Sequence, residues 1–124
     1  MPTEGGMEWA VELYGCPAES LRDRPRLSKF FRQVVREMDL HPVGAIRWHR
    51  FPGTGGLTGF WILKESHLAC HTFPELGSAC FNLFCCRPRP AWDWKAAAKE
   101  ALGARSVRVR KIRRPYARIL HARA

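Results

Sequence analysis

Three strand-like segments follow one another between Leu57 and Cys86, and they constrain the fold of this chain more than any other feature. They are Leu57 to Leu63, Ser66 to His71 and Ser78 to Cys86, broken only by Lys64-Glu65 and by Phe73-Pro74-Glu75-Leu76-Gly77. Gly, Pro and charged residues at such breaks are turn formers, and Arg87-Pro88-Arg89-Pro90 ends the third segment because prolines cannot continue a central strand. The same stretch holds two serines, two histidines, two carboxylates and several thiols, which a purely structural core rarely carries together.

Further strands are expected from Glu8 to Tyr14, ended by Gly15-Cys16-Pro17, from Val43 to Phe51, and from Ser106 to Ile112, where Val107 and Val109 alternate with Arg108 and Arg110. Between them, Leu27, Phe30, Phe31, Val34, Val35 and Met38 recur at three- and four-residue spacing and predict a helix. Trp92 to Leu102 is alanine-rich and helical, with Gly103 as its stop. The order strand, helix, strands, helix, strand predicts an α+β two-layer sandwich, with two helices on one face of a largely antiparallel sheet. Pro52-Gly53-Thr54-Gly55-Gly56 reads as a flexible turn, and without a following Gly-Lys-Ser/Thr it is no phosphate-binding loop.

The 124 residues suit one domain, with residues 1–7 and 114–124 expected to be flexible. No apolar run is long enough to span a bilayer and no secretory leader is visible, so a cytoplasmic location is the simplest reading. Five cysteines, an odd number, fit reduced thiols better than a disulfide framework. Their mixture with histidines raises a zinc site, but paired Cys-x-x-Cys knuckles are missing, so no metal is expected. The net charge of +10 suggests a polyanion partner. Most of the excess lies after Glu100, from Arg105 to Arg123, where an edge strand or tail kept soluble by charge ranks above specific nucleic-acid binding.

Glu65-Ser66-His67, the His71-Thr72-Phe73-Pro74-Glu75 run that begins five residues after Ser66, and Cys86 together resemble the prokaryotic S-adenosylmethionine decarboxylase proenzyme family. Val11-Glu12-Leu13-Tyr14-Gly15-Cys16 and His49-Arg50-Phe51-Pro52 extend the likeness, which covers the chain from about Glu8 to Ile112. The resemblance implies the same sandwich, a pyruvoyl cofactor made from the chain's own serine, S-adenosylmethionine as substrate for polyamine synthesis, and a homodimer with residues of both protomers near each site. It assigns Ser66 as the serine that attacks the Glu65 carbonyl, giving chains 1–65 and 66–124, and His71 as the processing proton carrier. Thr58 falls where the family usually has a serine that assists processing.

Chemically, such a cleavage needs a hydroxyl, a strained or polarised carbonyl and a proton carrier. The pyruvoyl ketone would then form a Schiff base with the substrate amine and act as an electron sink. Cys86 stands at the family's position for the acid that reprotonates the product, and a thiol, with an ordinary pKa of about 8.5, carries its proton at neutral pH. Phe51 matches the aromatic that stacks on adenine and Glu75 a carboxylate expected at the ribose.

Around these positions Phe73 stands where the family usually has Trp, Asn82 where it has Asp, Glu12 where Asp is common, and Arg87 replaces a glycine. These departures keep open a pyruvoyl decarboxylase of ornithine or arginine, and a non-catalytic basic binding module that has lost processing. Taken singly, Ser66 or Cys86 is more often an inert strand residue. The combined spacing tips the balance. Cys70, Cys80 and Cys85 read as buried thiols, and His67 as a strand residue beside the cleavage point.

Overall fold

A computed structural model describes residues 5–118. In chain order its elements are β1 (Gly5–Tyr14), α1 (Ala18–Arg22), α2 (Arg24–Glu37), β2 (Arg47–Arg50), β3 (Leu57–Leu63), β4 (Ser66–Phe73), β5 (Ser78–Cys85), α3 (Trp94–Leu102) and β6 (Ser106–Pro115). The strands form one sheet in the order β2-β3-β4-β5-β1-β6, and every neighbouring pair is antiparallel. This is the α+β two-layer sandwich expected from the element order.

Alternation along the strands divides the sheet into two faces. Trp9, Val11 and Leu13 of β1, Leu57, Trp61 and Leu63 of β3, Leu68 and Cys70 of β4, and Phe81, Leu83 and Cys85 of β5 are buried beneath the helices. From α2, Leu27, Phe30, Phe31, Val34 and Val35 close this core, with the Phe30 ring edge-on to Phe81 at 5.2 Å between centroids. Each such side chain contributes about 2 kcal/mol of burial. Trp94, Ala97, Ala98 and Leu102 of α3 complete the layer. The small alanines let α3 lie close to the sheet.

Both longer helices start on an aspartate cap. The Asp23 carboxylate accepts from Arg26 N–H at 3.2 Å, and the Asp93 carboxylate accepts from Ala96 N–H at 3.0 Å. Gly103 ends α3 in the left-handed region at φ 71°, as its place in the sequence predicts. The short α1 is additional to the two expected helices. It is tied down by Ser20, whose hydroxyl lies 2.9 Å from Leu102 O, and by Thr72. The buried Thr72 hydroxyl donates to Leu21 O at 2.7 Å and accepts from Leu57 N–H at 2.9 Å.

Several boundaries differ from the sequence expectation: β4 runs on to Phe73, β5 stops at Cys85, α3 starts at Trp94, and three further differences are larger. The strand expected from Val43 to Phe51 shrinks to Arg47–Arg50. Gly44 turns the chain at φ 80°, its carbonyl accepting from the Trp61 indole at 2.9 Å. Gly5, Gly6 and Met7, expected within a flexible leader, extend β1 against β6. Arg114 and Pro115, expected in a flexible tail, pair with Gly6 and Gly5. Residues 1–4 and 119–124 lie outside the described residues. The turn after β2 is pinned by Phe51 N–H on Gly56 O at 2.8 Å and by the guanidinium groups of Arg50 on Gly55 O and Arg22 on Thr54 O, each at 2.9 Å.

Candidate active site

Leu63 and Ser66 are paired across the β3–β4 ladder, so Lys64 and Glu65 alone make the turn. Closing a hairpin in two residues demands an unusual backbone conformation, and Glu65 supplies it at φ 60°, a region costly for a residue with a Cβ. Ser66 also pairs with Cys85, which brings the chain beyond β5 alongside the turn. There the Cys86 N–H donates to the Glu65 carbonyl at 2.6 Å, and the Arg87 guanidinium meets the Glu65 carboxylate at 3.0 Å. The Ser66 hydroxyl, at the lip of the sheet, rests on Lys64 O at 3.3 Å and is exposed. A hydroxyl therefore sits next to a carbonyl that is polarised and held in a strained turn.

A second group lies at the other end of the sheet on the face away from the helices. Thr58 pairs with His71, and Thr58 Oγ1 lies 2.9 Å from His71 Nδ1. One row across the sheet runs His49, Thr58, His71, Cys80, Glu12. Phe51 lies two residues beyond His49, its exposed ring edge-on to the imidazole at 5.4 Å. Phe73 closes β4 at the same end, and Glu75 is exposed on the turn after it. Glu12 accepts from Arg110 at 3.2 Å through Oε2, while its buried Oε1 has no partner.

The two groups are separate within one protomer. Five residues of extended strand divide Ser66 from His71, about 17 Å at roughly 3.3 Å per residue, and the odd spacing puts them on opposite faces. Ser66, Glu65 and Cys86 stand at one end, and Thr58, His71, Phe51, Phe73 and Glu75 at the other.

Between them runs a polar chain in which His67 and Asn82, each noted singly in the sequence, are joined to Glu8. Asn82 donates through its amide nitrogen to Glu8 Oε2 at 2.6 Å, so its oxygen faces His67 Nε2 at 3.2 Å. A carboxylate only accepts, so this arrangement places the His67 proton on Nε2. The imidazole is stacked between Phe60, 5.5 Å away, and Phe84, 5.8 Å away. The Asn82 amide, and after it the Arg114 guanidinium paired with Glu8, hold the Glu8 carboxyl below its ordinary pKa against the opposing effect of burial. His67 is thus the inner end of a network and more than a neighbour of the cleavage point. Its only sequence signal is the alternation that puts Glu8, Asn82 and His67 on one face.

Burial pushes the Cys70 thiol up to about 12 and Cys85 up to about 11, which leaves both protonated and unreactive at neutral pH. Cys80, half-buried between His71 and Glu12 in the sheet, is raised mainly by burial as well. Among the described residues, no group of three His, Cys, Asp or Glu side chains is placed to hold a metal ion.

Residues 7–115 match the family model described as S-adenosylmethionine decarboxylase. The S-adenosylmethionine decarboxylase proenzyme of Moorella thermoacetica is 32% identical over 110 residues, covering 88% of this chain and 86% of that one. That of Acetivibrio thermocellus is 31% identical over 110 residues, 88% and 87% of the two chains. The Methanococcus maripaludis proenzyme is 35% identical over 81 residues, and the match spans 65% of either chain. The crystal structure of the adenosylmethionine decarboxylase from Aquifex aeolicus superimposes with a TM-score of 0.69, covering 94% of this chain and 95% of that one at 20% identity, a likeness of fold. With the family model matched from the first strand to the last, the chain belongs to the S-adenosylmethionine decarboxylase family.

Proposed function

We propose that this protein is a self-processing, pyruvoyl-dependent decarboxylase of S-adenosylmethionine, making the aminopropyl donor for polyamine synthesis in the cytoplasm. The observation that carries the reading is the Glu65-Ser66 turn, with its left-handed Glu65, its carbonyl on the Cys86 N–H at 2.6 Å and an exposed serine hydroxyl beside it. These residues fit a group made from Ser66.

In processing, Ser66 Oγ adds to the Glu65 carbonyl carbon while the Cys86 N–H stabilises the developing oxyanion. The Glu65–Ser66 C–N bond breaks, the Ser66 nitrogen takes a proton and an ester remains. Removal of the Ser66 Cα proton expels the Glu65 carboxylate and leaves dehydroalanine, which loses ammonia on hydrolysis to give the pyruvoyl end. His71, oriented by Thr58, is the proton carrier. Because it lies about 17 Å from Ser66 in the same chain, the partner's His71 fills this role in a two-fold dimer.

The sheet face away from the helices is the surface on which the second copy fits. It exposes Phe60 (41%) and Ile62 (56%), and pairing it would join the Ser66 end of one protomer to the His71 end of the other. The pyruvoyl group supplies the electron sink for loss of carbon dioxide. Around it, Phe51 stacks on the adenine, Phe73 lines the pocket, Glu75 binds the ribose hydroxyls, and Cys86 Sγ holds the proton returned to the product. Glu12, Glu65 and Glu75 offset the chain's positive field for a sulfonium substrate.

Intact mass spectrometry under denaturing conditions tests this. The expected result is two chains, 1–65 and a pyruvoyl-ended 66–124, with decarboxylation of S-adenosylmethionine by the cleaved protein. A single unbroken chain would falsify the enzyme reading and leave a basic binding module. Cleaved chains that act only on ornithine or arginine would overturn the substrate.

A further inference from the structure

We infer that Arg87 is a positioning residue for self-cleavage: its pairing with the Glu65 carboxylate holds the scissile turn in its left-handed form. The inference rests on the reading of Ser66 as the cleavage serine.

Positive φ is natural for glycine or asparagine and disfavoured for glutamate. Lys64-Glu65 contains neither permissive residue, yet the ladder leaves only these two positions to join Leu63 to Ser66. Two interactions act on Glu65 from the segment that follows β5. The Cys86 N–H binds its carbonyl at 2.6 Å and the Arg87 guanidinium binds its carboxylate at 3.0 Å. One grips the backbone and the other the side chain, so the Cα between them is fixed from both sides. They come from consecutive residues, placed there by the pairing of Ser66 with Cys85.

The ion pair is too exposed, at 67% and 49%, to matter much for global stability. Its effect is local, on how often the carbonyl presents itself to Cys86 and to the serine. Once the peptide bond is broken, the N–H that bound the Glu65 carbonyl would face the new α-carboxylate while the guanidinium keeps its hold on the side chain, and together they would retain that chain end.

Glycine at position 65 provides the discriminating test. Cell-free synthesis followed by a chase, with fragments 1–65 and 66–124 counted by mass, gives the cleavage rate. Arg87→Gly is expected to slow cleavage about 3- to 5-fold, the effect of an exposed pair, and Arg87→Lys to recover most of the loss. In a Glu65→Gly chain, which enters the left-handed region unaided, adding Arg87→Gly should change nothing. In a Ser66→Ala chain, which cannot cleave, Arg87→Gly should speed hydrogen exchange at the Cys86 amide by a similar factor.

Cleavage of Arg87→Gly at the wild-type rate overturns the inference and leaves the decarboxylase reading standing. So does an equal loss in the Glu65→Gly background, or unchanged Cys86 exchange. A wild-type chain that stays whole overturns both.

Discussion

Thr58 Oγ1 lies 2.9 Å from His71 Nδ1 across the β3–β4 ladder, at the opposite end of that ladder from Ser66. The threonine keeps the hydroxyl of a serine and adds a methyl group. Thr58→Val removes the hydrogen bond and keeps the shape, so cleavage should slow about 10-fold, as loss of one orienting bond predicts. His71→Ala should cost 100-fold or more, since it removes the proton carrier itself. A chase monitored by mass reads both, and equal rates for Thr58→Val and wild type would remove Thr58 from the machinery.

The separation of the two ends predicts complementation between damaged chains. Ser66→Ala and His71→Ala should each remain uncut when expressed alone. Expressed together, mixed dimers should cut the His71→Ala chain, which keeps its serine and borrows the partner's histidine. Distinct tags distinguish the products, and failure to cut in a verified mixed dimer would mean that each protomer processes itself.

Glu8 predicts a pH dependence of stability. Its carboxyl is held below the ordinary value by the Asn82 amide first and then by Arg114. A depressed folded pKa contributes stability that is present above the unfolded value, about 4.3, and lost as pH falls through the folded value. Glu8→Gln should therefore lower stability by about 1 kcal/mol at pH 7, and the difference should close below about pH 4. Thermal unfolding at several pH values measures it; a gap that widens on acidification would contradict the assignment.

Thr72 ties α1 to the sheet through one hydroxyl used twice. Thr72→Val fills the same space but leaves the Leu57 N–H unsatisfied in the core, at a cost of about 2 kcal/mol. Chemical denaturation should show the change in midpoint without a change in slope. A loss of only a few tenths of a kcal/mol would mean that water reaches the freed groups.

Much of the fold was legible because its signals are periodic. The spacing of Leu27, Phe31 and Val34 marks α2, and alternation marks β3 to β5. A five-residue helix such as α1 completes too little more than one turn to show a period. Gly5 and Gly6 looked like a leader because glycine carries no side-chain pattern, yet a Cβ at Gly6 would sit 2.4 Å from the Cys85 carbonyl, so close approach explains the residue. At the candidate site, Ser66, His71 and Cys86 could be named from the family resemblance that their spacing carries, and the odd interval between the first two already encoded their opposite faces. The Cys86 amide could not be found, because every residue but proline has one and only register aims it. The meeting of Arg87 with Glu65 depends on the same register.

The sheet order carries a consequence for the mature molecule. The proposed scission after Glu65 would assign β1, β2 and β3 to one polypeptide and β4, β5 and β6 to the other, and the order β2-β3-β4-β5-β1-β6 would then interleave them. β1 is gripped on both edges by strands of the other piece, and three ladders cross the join. The halves thus stay interlocked, but their assembly can no longer be reached as one chain folding on itself. Once melted, the product of the proposed cleavage would have to find its complement by diffusion, so slow unfolding would guard the cleaved form in a way the single chain does not need.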